Sequence, residues 1–303
     1  GRDDEADGEA PPVALPDERR VDDRADRDDG RRADPAHGAE QGAGDTLQFI
    51  RYIDIVKTLG DNIIVELQDN MVDLFKDQIS VSGVFKKFSP LPDFDLQIPL
   101  MSLPYVLGTD MDTIPKNVPY IHIPNDINVS LPEAAPDKLN VGIVWSGNPN
   151  QANDINRSAD LTEFSDIIRV NGVRFFSLQK GPKECQVVQY PEIISLSDRI
   201  DSYRKTATFI KKLDLVISVC TSVCHLSGCL GHPTWTLLCF ASDWRWLLDR
   251  DDCPWYPTMR LFRQTRRGDW RSVGQRVGEA LKKEARDPEE FRRNWGLNMR
   301  TNK

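Results

Sequence analysis

The sequence predicts an α/β fold in two halves, each organised on a parallel β-sheet. Three observations point there: short, almost wholly apolar strand-like runs, helical patterns that fill the gaps between them, and a Pro-rich break near mid-chain. With 303 residues the chain is about twice a typical domain, and 39% hydrophobic residues suffice for a core in each half.

Residues 1–36 hold 13 Asp or Glu against 7 Arg, with PPVALP as the apolar relief. So charged a lead is expected to be disordered, because it cannot bury enough surface to offset the entropy of ordering. The N-terminal half runs over 37–123. Leu47, Ile50, Ile53, Val56 and Leu59 recur at helical spacing through DTLQFIRYIDIVKTLG, and Gly60 stands where a C-terminal cap would. NIIVELQ (62–68) reads as a buried strand, DNMVDLF as a short helix, and DLQIPL and YIHIP as two more strands. The Pro-rich stretch 124–138 is a linker.

The C-terminal half, 139–286, alternates more clearly. Strands are expected at NVGIVWSG (140–147), VRFFSLQ (173–179), EIISLS (192–197), DLVISVC (214–220) and PTWTLLCF (233–240). LTEFSDIIRV, SYRKTATFIKKL and TSVCHLSGCLG are the crossover helices, and WRSVGQRVGEALKKEA (270–285) closes the domain. Strands this apolar, joined by helices, imply a sheet covered on both faces, so both halves read as Rossmann-like. Residues 287–303 read as a charged tail without a catalytic role.

Charge narrows the function. Of the formal net charge of -8, the first 36 residues carry -6, and a pI near 5.2 argues against a nucleic-acid protein, which would show a basic stripe. No run approaches the roughly 20 uncharged apolar residues of a spanning helix, and no secretory start is visible, so the cytoplasm is the expected compartment. The six cysteines lie mostly in apolar runs of a chain too large to need stapling; reduced thiols are expected.

In open parallel sheets ligands lie beyond the carboxyl ends of the strands. Three loops qualify. SGNPNQANDINRS offers Ser146, Gly147, Asn148 and Arg157; QKGP offers Lys180; CTSVCH opens a helix with Thr221, Ser222 and His225. A helix start with nearby cations suits a phosphate, so together the loops read as a diphosphate cradle. Each feature also has a plain structural reading: Ser or Thr as a helix cap, Arg157 or Lys180 as a solvated charge, His225 as a packed ring. Convergence of the three at one sheet edge favours the cradle, and pattern alone reaches a nucleotide-type α/β protein.

Six ordered motifs go further. AEQGAGDTLQF (39–49), FDLQIPLMSLP (94–104), VGIVWSGNPNQANDINRS (141–158), FSLQKGP (176–182), DLVISVCTSVCHLSGCLGHPTW (214–235) and DWRWLLDRDDCPWYPTMRLFRQ (243–264) resemble the glycosyltransferase family 9 domain, related to the heptosyltransferases, found in bacterial proteins with tetratricopeptide repeats. The repeats themselves are absent from this sequence. The resemblance implies a GT-B architecture: two Rossmann-like domains facing across a cleft, the second holding most of a nucleotide sugar. It implies metal-independent, inverting transfer, with the acid of the Gly-x-Gly-Asp loop, here Asp45, as base. No cofactor beyond the nucleotide-sugar co-substrate is implied, and the acceptor is a hydroxyl of a glycan, lipid or protein. A carboxylate that takes the acceptor proton while fixed donors stabilise the departing diphosphate is sensible chemistry. Asp before a helix is also a common N-cap.

Two departures from the family stand out. Its Asp-Thr pair at the helix start reads Cys220-Thr221 here, and a thiol cannot accept hydrogen bonds from sugar hydroxyls as a carboxylate does. The segment RRADPAHGAEQG, where the family has an apolar strand, is polar and contains Pro35, so the N-terminal domain is incomplete as read. Both motivate an alternative: a degenerate relative that keeps the fold as a nucleotide-binding or protein-interaction module. Cys220, Cys224, His225 and Cys229 invite a zinc site, but cysteines in place of small residues in a packed helix are ordinary core substitutions, and no metal is expected. Asp93-Phe94-Asp95 and Asp110-Met111-Asp112 mimic a metal-binding Asp-x-Asp, a string that arises freely among 47 acidic residues. Trp244, Trp246, Trp255 and Tyr256, mixed with Arg245, Asp249 and Arg250, either line a pocket or pack a loop onto the domain.

Overall fold

The computed structural model describes residues 42–123 and 129–297. The charged lead, the polar segment before Gly42, the start of the linker and the last six residues of the tail lie outside the described residues. Among the described residues no helix is long and apolar enough to cross a membrane.

The N-terminal half opens with α1 (Ala43–Phe49), a 3-10 turn and α2 (Ile53–Val56); β1 (Ile64–Leu67), α3 (Asp69–Phe75), β2 (Gly83–Lys86) and the short α4 (Leu103–Val106) follow. β1 and β2 pair in parallel, Val65 opposite Val84. The C-terminal half runs β3 (Leu139–Val144), α5 (Asp154–Arg157), α6 (Ser165–Ile168), β4 (Val173–Ser177), β5 (Ile193–Ser195), α7 (Tyr203–Ile210), β6 (Leu215–Val219), α8 (Ser222–Cys229), β7 (Thr234–Leu238), β8 (Met259–Arg263), α9 (Trp270–Glu284) and α10 (Pro288–Asn294).

Six strands form one parallel sheet in the order β5-β4-β3-β6-β7-β8. Every residue of β3, β6 and β7 is buried. A strand covered on both faces has no use for polar alternation, and β3 and β6 accordingly read as mainly Val, Ile and Leu. The strand order reverses between β3 and β6, from which the sheet grows outward in both directions with every strand parallel, and the crevice beyond the carboxyl ends of that pair is where ligands of open α/β sheets bind.

One core lies between the sheet and α6 and α9, through Trp145, Phe164, Ile167, Val273, Val277 and Leu281. The other joins the opposite face to the N-terminal half: Val144, Val216 and Leu226 share it with Leu47, Tyr52, Met71 and Phe75. α1 packs directly on α8.

Several local expectations need correction. The helix over 46–59 begins earlier, at Ala43, tightens into the 3-10 turn at Ile50–Tyr52 and ends at Val56. Leu47, Ile50 and Ile53 are buried as their spacing requires, but Leu59 is 72% exposed and Gly60 caps nothing. DLQIPL forms no strand: Leu96 is 91% exposed and Pro99 lacks the N–H a ladder needs. YIHI forms no strand; it buries Ile121 and Ile123, and its amides bond outside any ladder, Tyr120 N–H to the Cys229 carbonyl and His122 N–H to Gln78 Oε1.

Two strands escaped the sequence reading. β2 is only partly buried and carries Gly83 and Lys86, so no apolar run marks it. β8 buries Met259, Leu261 and Phe262 around the exposed Arg260, and its Arg263 bonds back to the Arg250 carbonyl and Ser242.

The charged segment after residue 286 contains α10, which is anchored rather than free. Its Arg292 makes paired bonds to Asp214, both 2.9 Å, and reaches the carbonyls of Pro136 and Lys138 at 2.7 and 2.5 Å.

Candidate active site at the sheet switch point

The loop after β3 is braced from β4. Gln179 Oε1 accepts from Trp145 N–H (3.1 Å) and Ser146 N–H (2.9 Å), and its amide donates back to the carbonyls of Ser146 and Lys180 at 2.9 and 2.7 Å. Buried amide groups need such partners, so one glutamine fixes how both loops leave the sheet.

Ser158 Oγ accepts from Gly147 N–H at 2.8 Å and donates to Asp154 at 2.8 Å, closing the loop on itself. Gly147 lets the Arg157 guanidinium lie close over the loop: a Cβ there would lie 2.5 Å from Arg157 Nη2 and would push the side chain aside. Across that glycine the Arg157 guanidinium contacts Asp154 (3.0 Å), the Asn148 carbonyl (3.4 Å) and the Cys220 carbonyl (3.3 Å). Arg157 therefore ties the loop after β3 to the loop after β6, the two sides of the switch point.

At α8, Thr221 is the N-cap; its Oγ1 accepts from Val223 N–H at 3.3 Å and lies 3.1 Å from Ser218 Oγ. Ser222 Oγ accepts from Tyr203 O–H at 2.8 Å. A cation beside a helix N-terminus suits an anion. Lys180 stands apart: its ammonium donates to the Ser197 carbonyl at 2.9 Å, on the β5 side.

His225 is buried. Its Nδ1 is 3.0 Å from Tyr256 O–H, and its ring stacks on Trp246 at 5.2 Å. Trp246, Trp255 and Tyr256 are buried too, so this aromatic group packs its loop onto the domain, while Trp244 is 57% exposed.

The N-terminal half meets His225 at Gly44, where a Cβ would lie 2.9 Å from the imidazole Cδ2. Next to it, Asp45 is the third residue of α1 rather than its N-cap. Its Oδ2 reaches back to Gly42 N–H at 2.8 Å, the carboxylate arm of a capping box. Its Oδ1 takes Arg245 Nη2 at 2.5 Å.

Arg245 comes from the 3-10 turn Trp244–Trp246 after β7 and is nearly buried; it also bonds Asp243 at 2.8 Å and lies 4.7 Å from the Trp244 ring centre. The sequence marks Arg245 only as one charge within an aromatic segment. Neither it nor Gln179 had a local signal for these partners, which lie 200 and about 33 residues away.

Cys220, at the family's acidic position, accepts from Trp246 Nε1–H at 3.2 Å. Hydrogen bonding from the Cys224 thiol, then from His225 and Trp246, holds the Cys220 thiol well below the usual thiol value despite burial, and burial pushes Cys224 well above it. The Cys229 thiol turns away, toward Tyr120 O–H and the Leu47 carbonyl. Among the described residues no three His, Cys, Asp or Glu side chains are grouped to hold a metal ion. A cavity of about 560 Å³ lies on the other flank of the Arg157 loop, lined by Asp154, Lys183, Phe240, Gln264 and Trp270; it reaches neither Asp45 nor α8.

No family model matches the chain. It is similar to Protein FlbA of Caulobacter vibrioides, 25% identical over 275 residues, which covers 80% of this chain and 45% of that protein. The chain thus spans less than half of that relative's length. Among solved structures, the E. coli ADP-heptose LPS heptosyltransferase II superposes with a TM-score of 0.51 at 10% identity, over 81% of this chain and 97% of that one. The glycosyl transferase family 9 structure from Veillonella parvula gives 0.51 at 10% identity, over 81% and 94%. At these identities the likeness is one of architecture: the chain has the α/β fold with parallel sheets of GT-B-type glycosyltransferases.

Proposed function

We propose that the chain is a metal-independent, inverting glycosyltransferase that moves a sugar from a nucleoside-diphosphate donor to a hydroxyl acceptor. The observation that carries this reading is the convergence at the switch point: Arg157 bonded to the loop that starts α8, with the Asp45 segment packed one turn further along that helix.

In this reading the donor's diphosphate lies against the amides at the start of α8, between Arg157 and the Thr221 and Ser222 hydroxyls. Ser146, Gly147 and Asn148 shape the facing loop, His225 backs the donor, and Lys180 serves the diphosphate only if its ammonium leaves the Ser197 carbonyl. Asp45 takes the acceptor's hydroxyl proton as the new glycosidic bond forms and the bond to the diphosphate breaks. The negative charge growing on the leaving group meets donors already in place. The two solved structures are named as glycosyltransferases, one of them for ADP-heptose, and a nucleotide sugar is the donor class we carry over. We place the reaction in the cytoplasm, where six unpaired cysteines stay reduced. We also infer descent from glycosyltransferases associated with tetratricopeptide repeats, on the six sequence motifs.

One observation favours a second reading, a nucleotide-binding relative without turnover. Asp45 is occupied on both oxygens, by Gly42 and Arg245, and Cys220 stands where a carboxylate is expected. Release of nucleoside diphosphate from a panel of sugar nucleotides separates the two. Turnover abolished by Asp45→Asn supports the enzyme. Stabilisation by nucleoside diphosphates without any release, at acceptor saturation, supports the binding module.

A further inference from the structure

The His225 ring is held on three sides. It stacks on Trp246 at 5.2 Å, meets the Tyr256 ring edge-on at 5.8 Å, and turns its Cδ2–Nε2 edge to Gly44, where a Cβ would lie 2.9 Å from Cδ2 and 3.5 Å from Nε2. Its Nδ1 is 3.0 Å from the Tyr256 hydroxyl. That one hydroxyl decides which nitrogen carries the proton, because a neutral imidazole has one donor and one acceptor.

The surroundings of Tyr256 give the bond its direction. Tyr256 is fully buried, and burial pushes its phenol and that of Tyr120 well above the usual value, so each keeps its proton. The Tyr120 oxygen is already taken: it donates to the Leu47 carbonyl at 2.8 Å, accepts from Arg51 Nη2 at 2.8 Å and lies 2.9 Å from the Cys229 thiol. The buried Arg51 guanidinium rests 4.7 Å from the Tyr256 ring centre and 4.5 Å from that of Tyr120, and it can only donate. The acceptor left for the Tyr256 proton is His225 Nδ1, and a buried hydroxyl without an acceptor is costly.

From this geometry we propose that Tyr256 is a positioning residue: its O–H holds His225 in the tautomer with the proton on Nε2, so the histidine presents a hydrogen-bond donor, not a second base, beside the Asp45 loop. Resting on the glycosyltransferase reading, the group that takes this donor is an oxygen of the nucleotide's diphosphate. A bare Nε2 would meet that oxygen lone pair to lone pair, whereas Nε2–H attracts it. Asp45 then remains the base. Arg51 comes from the turn after α1, so the N-terminal half holds in place the phenol that orients a histidine of the C-terminal half.

The test uses the full chain labelled with 15N-histidine. Long-range 1H–15N correlation at pH 8, above the ordinary imidazole value of about 6.5, shows which nitrogen is protonated, and His225→Gln identifies the His225 signals among the four histidines. In the wild type the protonated nitrogen should correlate with both carbon-bound ring protons, the pattern of Nε2–H. In Tyr256→Phe, which keeps a ring against Arg51, the two nitrogen shifts should approach each other as both tautomers populate, and nucleoside-diphosphate affinity by calorimetry should fall about fivefold, the worth of one hydrogen bond. His225→Gln, whose amide nitrogen can stand near the Nε2 position, should bind nucleoside diphosphate about fivefold tighter than His225→Asn, whose amide reaches only the Nδ1 position. A proton on Nδ1 in the wild type overturns the proposal, as does a Tyr256→Phe chain with an unchanged His225 pattern, or Gln and Asn variants that bind alike. Should Tyr256→Phe fail to fold, the wild-type spectrum and the comparison of Gln with Asn decide. Absence of nucleoside-diphosphate binding by the wild type contradicts the glycosyltransferase reading alone, and the tautomer is still judged from the spectrum.

Discussion

Replacing Arg245 with Gln probes how firmly the turn after β7 holds the Asp45 loop. Arg245 gives Nη2 to Asp45 at 2.5 Å and Nη1 to Asp243 at 2.8 Å; its side chain is 9% exposed, against 20% for Asp45 and 40% for Asp243. Exposed ion pairs contribute about 0–1 kcal/mol, and removing one partner of a buried pair costs about 3–5 kcal/mol. Asp45 lies between these limits, because water still reaches part of its carboxylate. The Asp45–Arg245 coupling is therefore expected at about 1–2 kcal/mol. Urea unfolding of the wild type, Asp45→Asn, Arg245→Gln and the double variant gives this term directly as the non-additive remainder, provided the slope with denaturant is unchanged. Additivity within about 0.3 kcal/mol would show that the contact does not fix the loop, and would refute the reasoning.

Three further outcomes follow from the packing. Arg292→Ala strips a carboxylate that is 3% exposed, Asp214, of its cation, and leaves two carbonyls without their donor; unfolding free energy should fall by about 3–5 kcal/mol, and loss within about 0.5 kcal/mol would mean α10 is not part of the cooperative unit. Gly44→Val sets a branched side chain against the His225 ring, where even a Cβ would be at 2.9 Å; a destabilisation of about 1–3 kcal/mol is expected, together with a shift in the His225 ring resonances by NMR. Asp160 is held below the usual carboxylate range by hydrogen bonds from Lys183 and then Gln186. A depressed carboxyl contributes stability above its unfolded value, near 3.9, and loses it as pH falls through the folded value. The stability gap between wild type and Lys183→Met should accordingly be flat from pH 7 to about pH 5 and close below about pH 4; a gap that widens on acidification has the wrong sign.

The legible parts of the fold are those where one physical demand dominates. β3, β6 and β7 are buried on both faces, so their sequences have a single pattern to satisfy, and Thr221 announces a helix start through local capping. The illegible parts depend on partners distant in sequence. The helix breaks into a 3-10 turn just past the stretch of α1 that packs on α8, and the YIHI segment finds its hydrogen bonds at the end of α8 and on a glutamine rather than in a ladder.

The site divides in the same way. Arg157, Thr221 and Ser222 lie in the loops that follow strands located by their apolar runs, and those loops meet at the switch point. Lys180 lies at a correctly placed strand end, but its ammonium turns to Ser197, which only the side-chain geometry reveals. The pairing of Asp45 with Arg245 spans 200 positions and has no trace in either local segment.

Calorimetric titration with nucleoside diphosphates tests the central claim most directly, since it needs neither the right sugar nor the right acceptor. At least one should bind the wild-type chain, and Arg157→Ala should weaken that binding tenfold or more, about 1.4 kcal/mol or greater, with the fold intact by circular dichroism. Absence of binding across all the common bases, or binding indifferent to Arg157→Ala, would contradict a diphosphate site at the β3–β6 switch point.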